Sequence, residues 1–338
     1  MSREDAKKRS HEITRTNTKS LCERFAMRTS QIGTHLVTGM ILILCLLTFT
    51  TVAQTEKLRA VTIVSEPSAA IWIDDVRFGK TGKDGRLAIN SVSPGRHTVR
   101  VRCDGFGEVS KALPATHSGE FQIALTKTTD KAELAFQEAE RLSLIDRDKA
   151  AEAYRNATKL RPGYAEAYIS LARMLSDDGD YDAALKAIRD LRRTKPADAE
   201  ASAVEGRIHR EAGEEAQAIT AFKRAIAEGK GFQPEAYTGL GLLYKDKAEG
   251  AGGSGNFAEE TANYNEAAKN LKVALKQLSG APDSVVLYQL LGLVYERQKK
   301  FDEAIAVYQE FLRLFPNSNE APTVQSFIDQ IKKQQRSQ

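Results

Sequence analysis

Three patterns of apolar and polar positions follow one another along the chain. Residues 36–53 form an apolar run that no charged residue interrupts. Residues 58–127 carry short β-prone runs separated by Gly, Pro and Asp, which is typical of small antiparallel domains. Residues 131–319 are rich in Ala, Leu, Glu and Lys with helical spacing. The pattern predicts an α+β multidomain protein with a hydrophobic leader helix, a small antiparallel β-sandwich and an all-α solenoid.

The apolar run is predicted to be a signal peptide or a membrane anchor, preceded by a disordered basic segment at residues 1–35. Its length is at the short end of the roughly 17–25 residues that span a bilayer, and small residues before Gln54 suit a cleavage site. A basic flank stays cytoplasmic, so both alternatives place the rest of the protein in the periplasm or at the cell surface. An uncleaved run would anchor it to the inner membrane. Met27 is an alternative start to Met1, because it would give a signal peptide of ordinary length.

Alternation of apolar and polar residues predicts strands in the second segment. Val99 and Val101 alternate with polar residues, so one face of that strand is buried and the other is solvated. Asp84-Gly85 and Pro94-Gly95 predict turns between strands. The predicted strands are Arg59–Val64, Ala70–Ile73, Leu87–Ile89, His97–Arg102 and Phe121–Leu125.

This segment resembles a PEGA domain, a small surface-associated β-sandwich. The matching motifs are Val61-Thr-Ile-Val64, Ser65-Glu-Pro67, Ala70-Ile-Trp-Ile-Asp74, Gly79-Lys-Thr81, Pro94-Gly95 and Cys103-Asp-Gly-Phe106. The residues after Pro67 depart from the Pro-Glu-Gly-Ala motif that names the family. The glycine spacing is also similar to that of carboxypeptidase regulatory-like sandwiches, so both families stay open. Neither resemblance implies catalysis.

The helical segment repeats itself, which indicates a solenoid of helical hairpins. Pro162 and Pro196 mark one 34-residue unit. This unit carries apolar and small residues at signature positions, namely Tyr168, Leu171, Ala172, Leu175, Ala184, Ile188 and Leu191. The pattern resembles the tetratricopeptide repeat (TPR). Four repeats are predicted, together with a degenerate first repeat at residues 131–162 and a capping helix and tail at residues 320–338.

The third full repeat is interrupted. Its first helix reaches Tyr244 and its second resumes near Ala267, which leaves about fourteen additional residues near 246–262. They include the run from Gly250 to Gly255, which is predicted to be a flexible loop. A binding role for this loop stays open.

A TPR solenoid implies a concave groove lined by the first helix of each hairpin. By repeat phase the groove residues are Ile169, Ser170, Arg173, Val204, Arg207, Arg210, Thr238, Leu242, Lys245, Gln289, Leu293 and Glu296. The candidate binding residues among them are Arg173, Arg207, Arg210, Leu242, Lys245 and Leu293. Arg173 and Arg207 occupy equivalent positions and can present guanidinium groups to acidic groups of a partner, although two solvated arginines fit the pattern equally. Carboxylate-clamping TPR domains place Asn in the groove, and none stands at these positions.

Charge and motifs argue against other function classes. The formal net charge of +4 comes from residues 1–53, which hold eight Lys/Arg and four Asp/Glu, so the rest of the chain is balanced. Nucleic-acid binding needs a basic face, and none is predicted. The five histidines show no metal-ligand spacing, and no Gly-x-Ser-x-Gly elbow is present. No catalytic residue, metal site or cofactor site is therefore predicted.

The sequence thus predicts a non-enzymatic protein–protein interaction scaffold of the bacterial envelope, which binds an exported or envelope protein or peptide in the groove. The alternative is a structural envelope component whose β-sandwich contacts cell-wall or surface polymer. An enzyme with an unrecognised site is the third class.

Overall fold

The computed structural model of the protein describes residues 58–278 and 280–336. The predicted basic segment at residues 1–35 and the leader at residues 36–53 lie outside the described residues, so both stay predictions. Within the described part, no helix is long and apolar enough to cross a membrane.

Two small sheets share one apolar core in the amino-terminal part of the described chain. The strands are β1 (Arg59–Val64), β2 (Ala70–Ile73), β3 (Val76–Lys80), β4 (Arg86–Val92), β5 (His97–Arg102), β6 (Val109–Leu113) and β7 (Gly119–Gln122). One sheet has the order β4-β1-β7 and the other β3-β2-β5-β6. Inward-facing residues such as Ile63, Ile71 and Val101 are buried between the sheets, as strand alternation requires.

The prediction of an antiparallel sandwich is wrong for one strand pair. β1 and β7 are parallel, with Ile63 opposite Phe121, because the chain crosses back from the other sheet after β6 to run beside β1. Sequence analysis also missed β3 and β6. Both are short edge strands with exposed polar residues, which weakens the apolar signal.

Eleven helices and one 3₁₀ turn follow in the described part of the chain. They are α1 (Lys131–Leu142), α2 (Arg147–Leu160), α3 (Ala165–Asp177), α4 (Tyr181–Arg192), α5 (Ala199–Glu211), α6 (Glu215–Glu228), α7 (Pro234–Gly253), α8 (Phe257–Leu278), the 3₁₀ turn (Pro282–Ser284), α9 (Val285–Arg297), α10 (Phe301–Leu314) and α11 (Ala321–Arg336). α1 to α10 form five antiparallel hairpins that stack side by side. α11 packs Val324, Ile328 and Ile331 into the last core cluster, so it covers the apolar side that a terminal repeat would expose.

Glycines let aromatic rings fill the space between helices. A Cβ on Gly206 or Gly239 would lie 2.5 Å or 2.2 Å from the ring of Phe222, and a Cβ on Gly292 would lie 2.2 Å from the ring of Tyr308. Both rings are buried. The small residues of the repeat therefore serve close packing rather than flexibility.

The interpretation of residues 250–255 as a flexible loop is wrong for residues 250–253, which are helical, whereas Ser254 and Gly255 lie in the turn between two helices. α7 continues to Gly253 and α8 begins at Phe257, so the insertion lengthens both helices. Ala248 and Ala251 are buried, and Gly252 leaves room for the Glu260 carboxylate, which would lie 2.7 Å from a Cβ there. Contacts between α7 and α8 thus outweigh the low helix propensity of the glycines.

Candidate functional site on the inner face of the solenoid

The first helices of the hairpins, α3, α5, α7 and α9, form the inner face of the solenoid. Arg173 on α3 reaches across two neighbouring helices: its guanidinium pairs with Glu200 of α5 at 3.2 Å and also with Glu235 of α7. Burial opposes the charged form of Arg173, but Glu235 and Glu200 outweigh it and raise the pKa of Arg173. Burial raises the pKa of Glu200, which Arg173 offsets only in part. The guanidinium predicted to face a partner is thus occupied within the chain.

The Arg207 guanidinium is likewise paired with acidic residues of the chain. It pairs with Asp177 of α3, and its Nε lies 2.9 Å from the Glu211 carboxylate one helical turn away. Ser176 donates a hydrogen bond of 2.6 Å to the other Glu211 oxygen. Burial would raise the pKa of Glu211, but the hydrogen bonds from Arg207 and Ser176 lower it below its usual value.

The other two predicted cations have acidic neighbours on their own helices. Arg210 lies 3.9 Å from Glu211. Lys245 lies 2.9 Å from Glu249 and 3.2 Å from Asp246. Ile169 and Val204 are buried in the core, so their prediction as groove residues is wrong.

The apolar candidates are Leu242 on α7 and Leu293 on α9. Leu293 is 36% exposed, and Val286, two helical turns earlier on α9, is 66% exposed. Leu242 on α7 is half-buried and occupies the repeat position equivalent to Leu293. We call Leu242, Val286 and Leu293 the apolar strip. It was only partly predicted, since Val286 was missed.

The β-sandwich forms a second wall over the charged part of the inner face, which sequence analysis did not predict. A cavity of 930 Å³, here called the cleft, lies between them. The sandwich contributes Trp72, Asp75, Arg77 and Arg100, and the solenoid contributes Arg173, Glu200, Arg207, Glu235 and Thr238 among others. Phe232, from the loop between α6 and α7, lines this cleft and two adjoining cavities.

The sandwich also touches the first helical hairpin at the first-repeat contact, formed by Arg102, Phe136 and Gln137. The Arg102 guanidinium stacks 4.6 Å from the Phe136 ring centre, a cation–π geometry. Gln137 accepts a hydrogen bond from Gly105 N at 2.7 Å and donates one to Phe106 O at 2.9 Å. Arg102 also pairs with Glu108 within the sandwich at 2.6 Å. Its buried Nε lies 3.7 Å from Glu133 Oε1 of α1 and makes no hydrogen bond.

One side of the cleft is closed by the far contact, formed by Val76, Leu278, Leu287, Ser91 and Gly280. Val76 belongs to the core cluster of the last repeats, with Leu278 and Leu287, rather than to the sandwich core. The Ser91 hydroxyl donates to Gly280 O at 3.4 Å. Asp74 and Asp75, both with positive φ, form the tight turn that presents Val76.

Ser93, His97 and Asp74 have the composition of a hydrolase triad but not its geometry. His97 Nδ1 lies 2.6 Å from Asp74 Oδ2, while Nε2 lies 2.9 Å from the Ser93 carbonyl and 3.4 Å from its hydroxyl. A base must be free to take the serine proton, and this nitrogen faces a backbone acceptor instead. Among the described residues no group of His, Cys, Asp and Glu fits a metal ion.

Family models decide the nature of the helical hairpins. Models of the tetratricopeptide repeat match residues 145–208 and residues 285–318. The helices within these two ranges form tetratricopeptide repeats. No curated protein matches the chain.

The chain is also similar to several solved structures. Yeast Tom70 is 19% identical, with a TM-score of 0.50 over 62% of this chain and 41% of that chain. The MamA protein is 22% identical, with a TM-score of 0.40 over 56% of this chain and 94% of that chain. A TPR protein of Thermus thermophilus is 20% identical, with a TM-score of 0.43 over 59% of this chain and 98% of that chain. At these identities the likeness to Tom70 shows a shared helical-repeat fold, and the chain spans less than half of Tom70.

Proposed function

We propose that this protein is a non-enzymatic scaffold of the cell envelope that binds a segment of an exported or envelope protein on the inner face of its TPR solenoid. The apolar strip carries the proposal. Leu293 and Val286 are exposed on a helix face that repeat proteins use for binding, whereas the cations beside them are engaged within the chain. A partner therefore gains most of its binding free energy by burying its own apolar side chains against the apolar strip.

The envelope location rests on the leader. Residues 36–53 are apolar and follow a basic segment, which supports export of the sandwich and solenoid. The sandwich itself we propose to be of the PEGA type, since its seven described strands in two sheets fit a small surface β-sandwich.

The structure favours the scaffold over polymer binding by the sandwich. Trp72 is the one tryptophan of the sequence, and aromatic rings of this kind supply the large contact area that recognition surfaces need. It lies under Arg100 at 4.4 Å and lines the cleft towards the solenoid. The surface best suited to an external polymer is thus turned inward.

Site-specific photo-crosslinking in the native host tests the proposal. A benzophenone amino acid at Leu293 should form a discrete adduct with a protein of the envelope fraction, while the same group at Glu303, an exposed position on α10, should not. With the benzophenone amino acid placed at Leu242 instead, the double variant Val286→Asp, Leu293→Asp should reduce capture by tenfold or more, about what loss of apolar anchors removes. Leu160→Asp, at an exposed leucine of α2, is the matched control. Equal capture by wild type and double variant would refute the proposal.

A further inference from the structure

The two contacts between sandwich and solenoid differ in strength. The first-repeat contact lies beside the covalent connection, where Thr128 N donates to Gly105 O at 3.0 Å and leads directly into α1. It combines the stacked Arg102, the two hydrogen bonds of Gln137 and the ion pair of Arg102 with Glu133 of α1 at 3.7 Å. Directional contacts of this kind, beside the covalent connection, hold the sandwich and the first repeat in one arrangement.

The far contact is mainly apolar and is flanked by two cavities. A hydrogen bond from Ser91 to Gly280 is long at 3.4 Å, and two side chains of β3, the buried Val76 and the partly buried Phe78, pack in the solenoid cluster. A cavity of 520 Å³ lies on one side and the cleft of 930 Å³ on the other. Because an interface flanked by cavities lacks close-packed atoms, it is the easier of the two to separate.

We propose that the β-sandwich is a hinged cover of the inner face, which stays attached at the first-repeat contact and opens at the far contact. Opening separates Val76 from Leu278 and Leu287 and exposes the floor of the cleft at Arg173, Glu235 and Thr238. A partner segment bound on the apolar strip then extends along the inner face into the cleft. The identity of the inner face as the partner surface rests on the proposed function, whereas the opening itself is a property of the chain alone.

A thiol probe measures the opening without any partner. The full chain carries Thr238→Cys on the cleft floor, with Cys22, Cys45 and Cys103 replaced by Ser. Its reaction with a polyethylene-glycol maleimide too large for the cleft is compared with its reaction with N-ethylmaleimide. Val76→Asp places a charge in the apolar far contact and leaves the sandwich core intact, because Val76 lies outside that core. The ratio of the two labelling rates should rise by about tenfold or more.

Arg96→Asp is the control, since it adds the same side chain at an exposed sandwich position. It should leave the ratio at the wild-type value, and circular dichroism should show equal secondary structure in all variants. A ratio that Val76→Asp leaves unchanged, with the fold intact, would overturn the hinged cover.

An engineered disulfide across the far contact, here called the lock, tests the same proposal with Val76 unchanged. A Cβ on Gly280 would lie 3.1 Å from Ser91 Cβ, close to the roughly 3.5–4.5 Å between the Cβ atoms of a disulfide. In Ser91→Cys, Gly280→Cys, with the three native cysteines replaced by Ser, oxidation holds the far contact closed and reduction frees it. The reduced form is also the control for strain at Gly280, whose φ is +74°.

Crosslinkers at two positions distinguish a failure of the hinged cover from a failure of the proposed function. In the lock variant, a benzophenone at Leu293 should capture the partner whether the lock is oxidised or reduced, and one at Thr238 should capture it only after reduction. Equal capture at Thr238 in both states overturns the cover. No capture at Leu293 in either state overturns the proposed function instead.

Discussion

The tightest packing in the solenoid occurs where a helical glycine faces an aromatic ring. At Gly292, a Cβ would lie 2.2 Å from the Tyr308 ring. At Gly250, also helical, no atom lies within 4 Å of the corresponding point. Replacing glycine by alanine should therefore change the stability of the solenoid in opposite directions at these two positions.

Gly292→Ala should lower the free energy of unfolding by about 1–3 kcal/mol, because overpacking outweighs the gain in helix propensity. Gly250→Ala should raise it by about 0.5–1 kcal/mol, since only the propensity changes there. Urea unfolding followed by circular dichroism measures both. A stabilising Gly292→Ala would contradict the close approach of Tyr308.

The Glu211 carboxylate should make stability depend on pH. Its pKa in the folded chain is lowered by Arg207 and Ser176 against the effect of burial. A lowered pKa stabilises the fold above the unfolded value of about 4.3, and that stabilisation is lost as the pH falls through the folded pKa.

Glu211→Gln should therefore destabilise the protein at pH 7. Its difference from wild type in the free energy of unfolding should shrink as the pH falls below about 4.3. Urea unfolding at a series of pH values measures it. Glu152→Gln, at an exposed residue of α2, should show a small difference at every pH. A Glu211→Gln difference that is constant with pH would contradict the ion pair.

At the scale of elements, the α7–α8 hairpin departs most from its neighbours. α7 has 20 residues and α8 has 22, whereas α5 and α9 have 13 each and α6 and α10 have 14 each. At 1.5 Å per residue, the extra turns carry the hairpin roughly 10 Å beyond its neighbours. Gly255, with φ +78°, follows the end of α7. The Asn256 side chain caps α8, because its Oδ1 accepts a hydrogen bond from Glu259 N at 3.3 Å and its Nδ2 donates one to the Glu259 carboxylate at 2.7 Å.

Proline substitutions should distinguish this helical extension from a loop. Glu249→Pro, inside α7, should cost about 3 kcal/mol locally and abolish hydrogen-exchange protection across the extension. Phe257→Pro, at the first residue of α8, should be tolerated because that position needs no backbone donor. Phe257 is 69% exposed, so little packing is lost. Equal protection in both variants would contradict the long hairpin.

At the scale of the whole molecule, local patterns were predictable and distant contacts were not. The strand bounds of β1, β2 and β5 and the repeat phase follow from alternation and from the spacing of residues such as Tyr168 and Ala172. The cleft depends on side chains that meet across long stretches of sequence, such as Arg102 with Phe136 and Val76 with Leu278. No local pattern encodes those pairs. Arg173 pairs with Glu200 in the next repeat and with Glu235 in the repeat after that, and Arg207 pairs with Asp177 in the preceding repeat. Repeat phase gave no sign of these partners.

The sandwich also completes the amino-terminal end of the solenoid. A terminal repeat has one neighbour only and is the first part of an array to fray, and α11 covers just the other end. Gln137 and Arg102 join α1 to the sandwich, so the combined variant Arg102→Ala, Gln137→Ala should speed hydrogen exchange in α1 and α2 while α9 to α11 keep wild-type rates. Arg96→Ala, at an exposed sandwich residue, should change neither region. Exchange that rises equally in all repeats would mean that the solenoid unfolds as one unit and that the sandwich does not act as its cap.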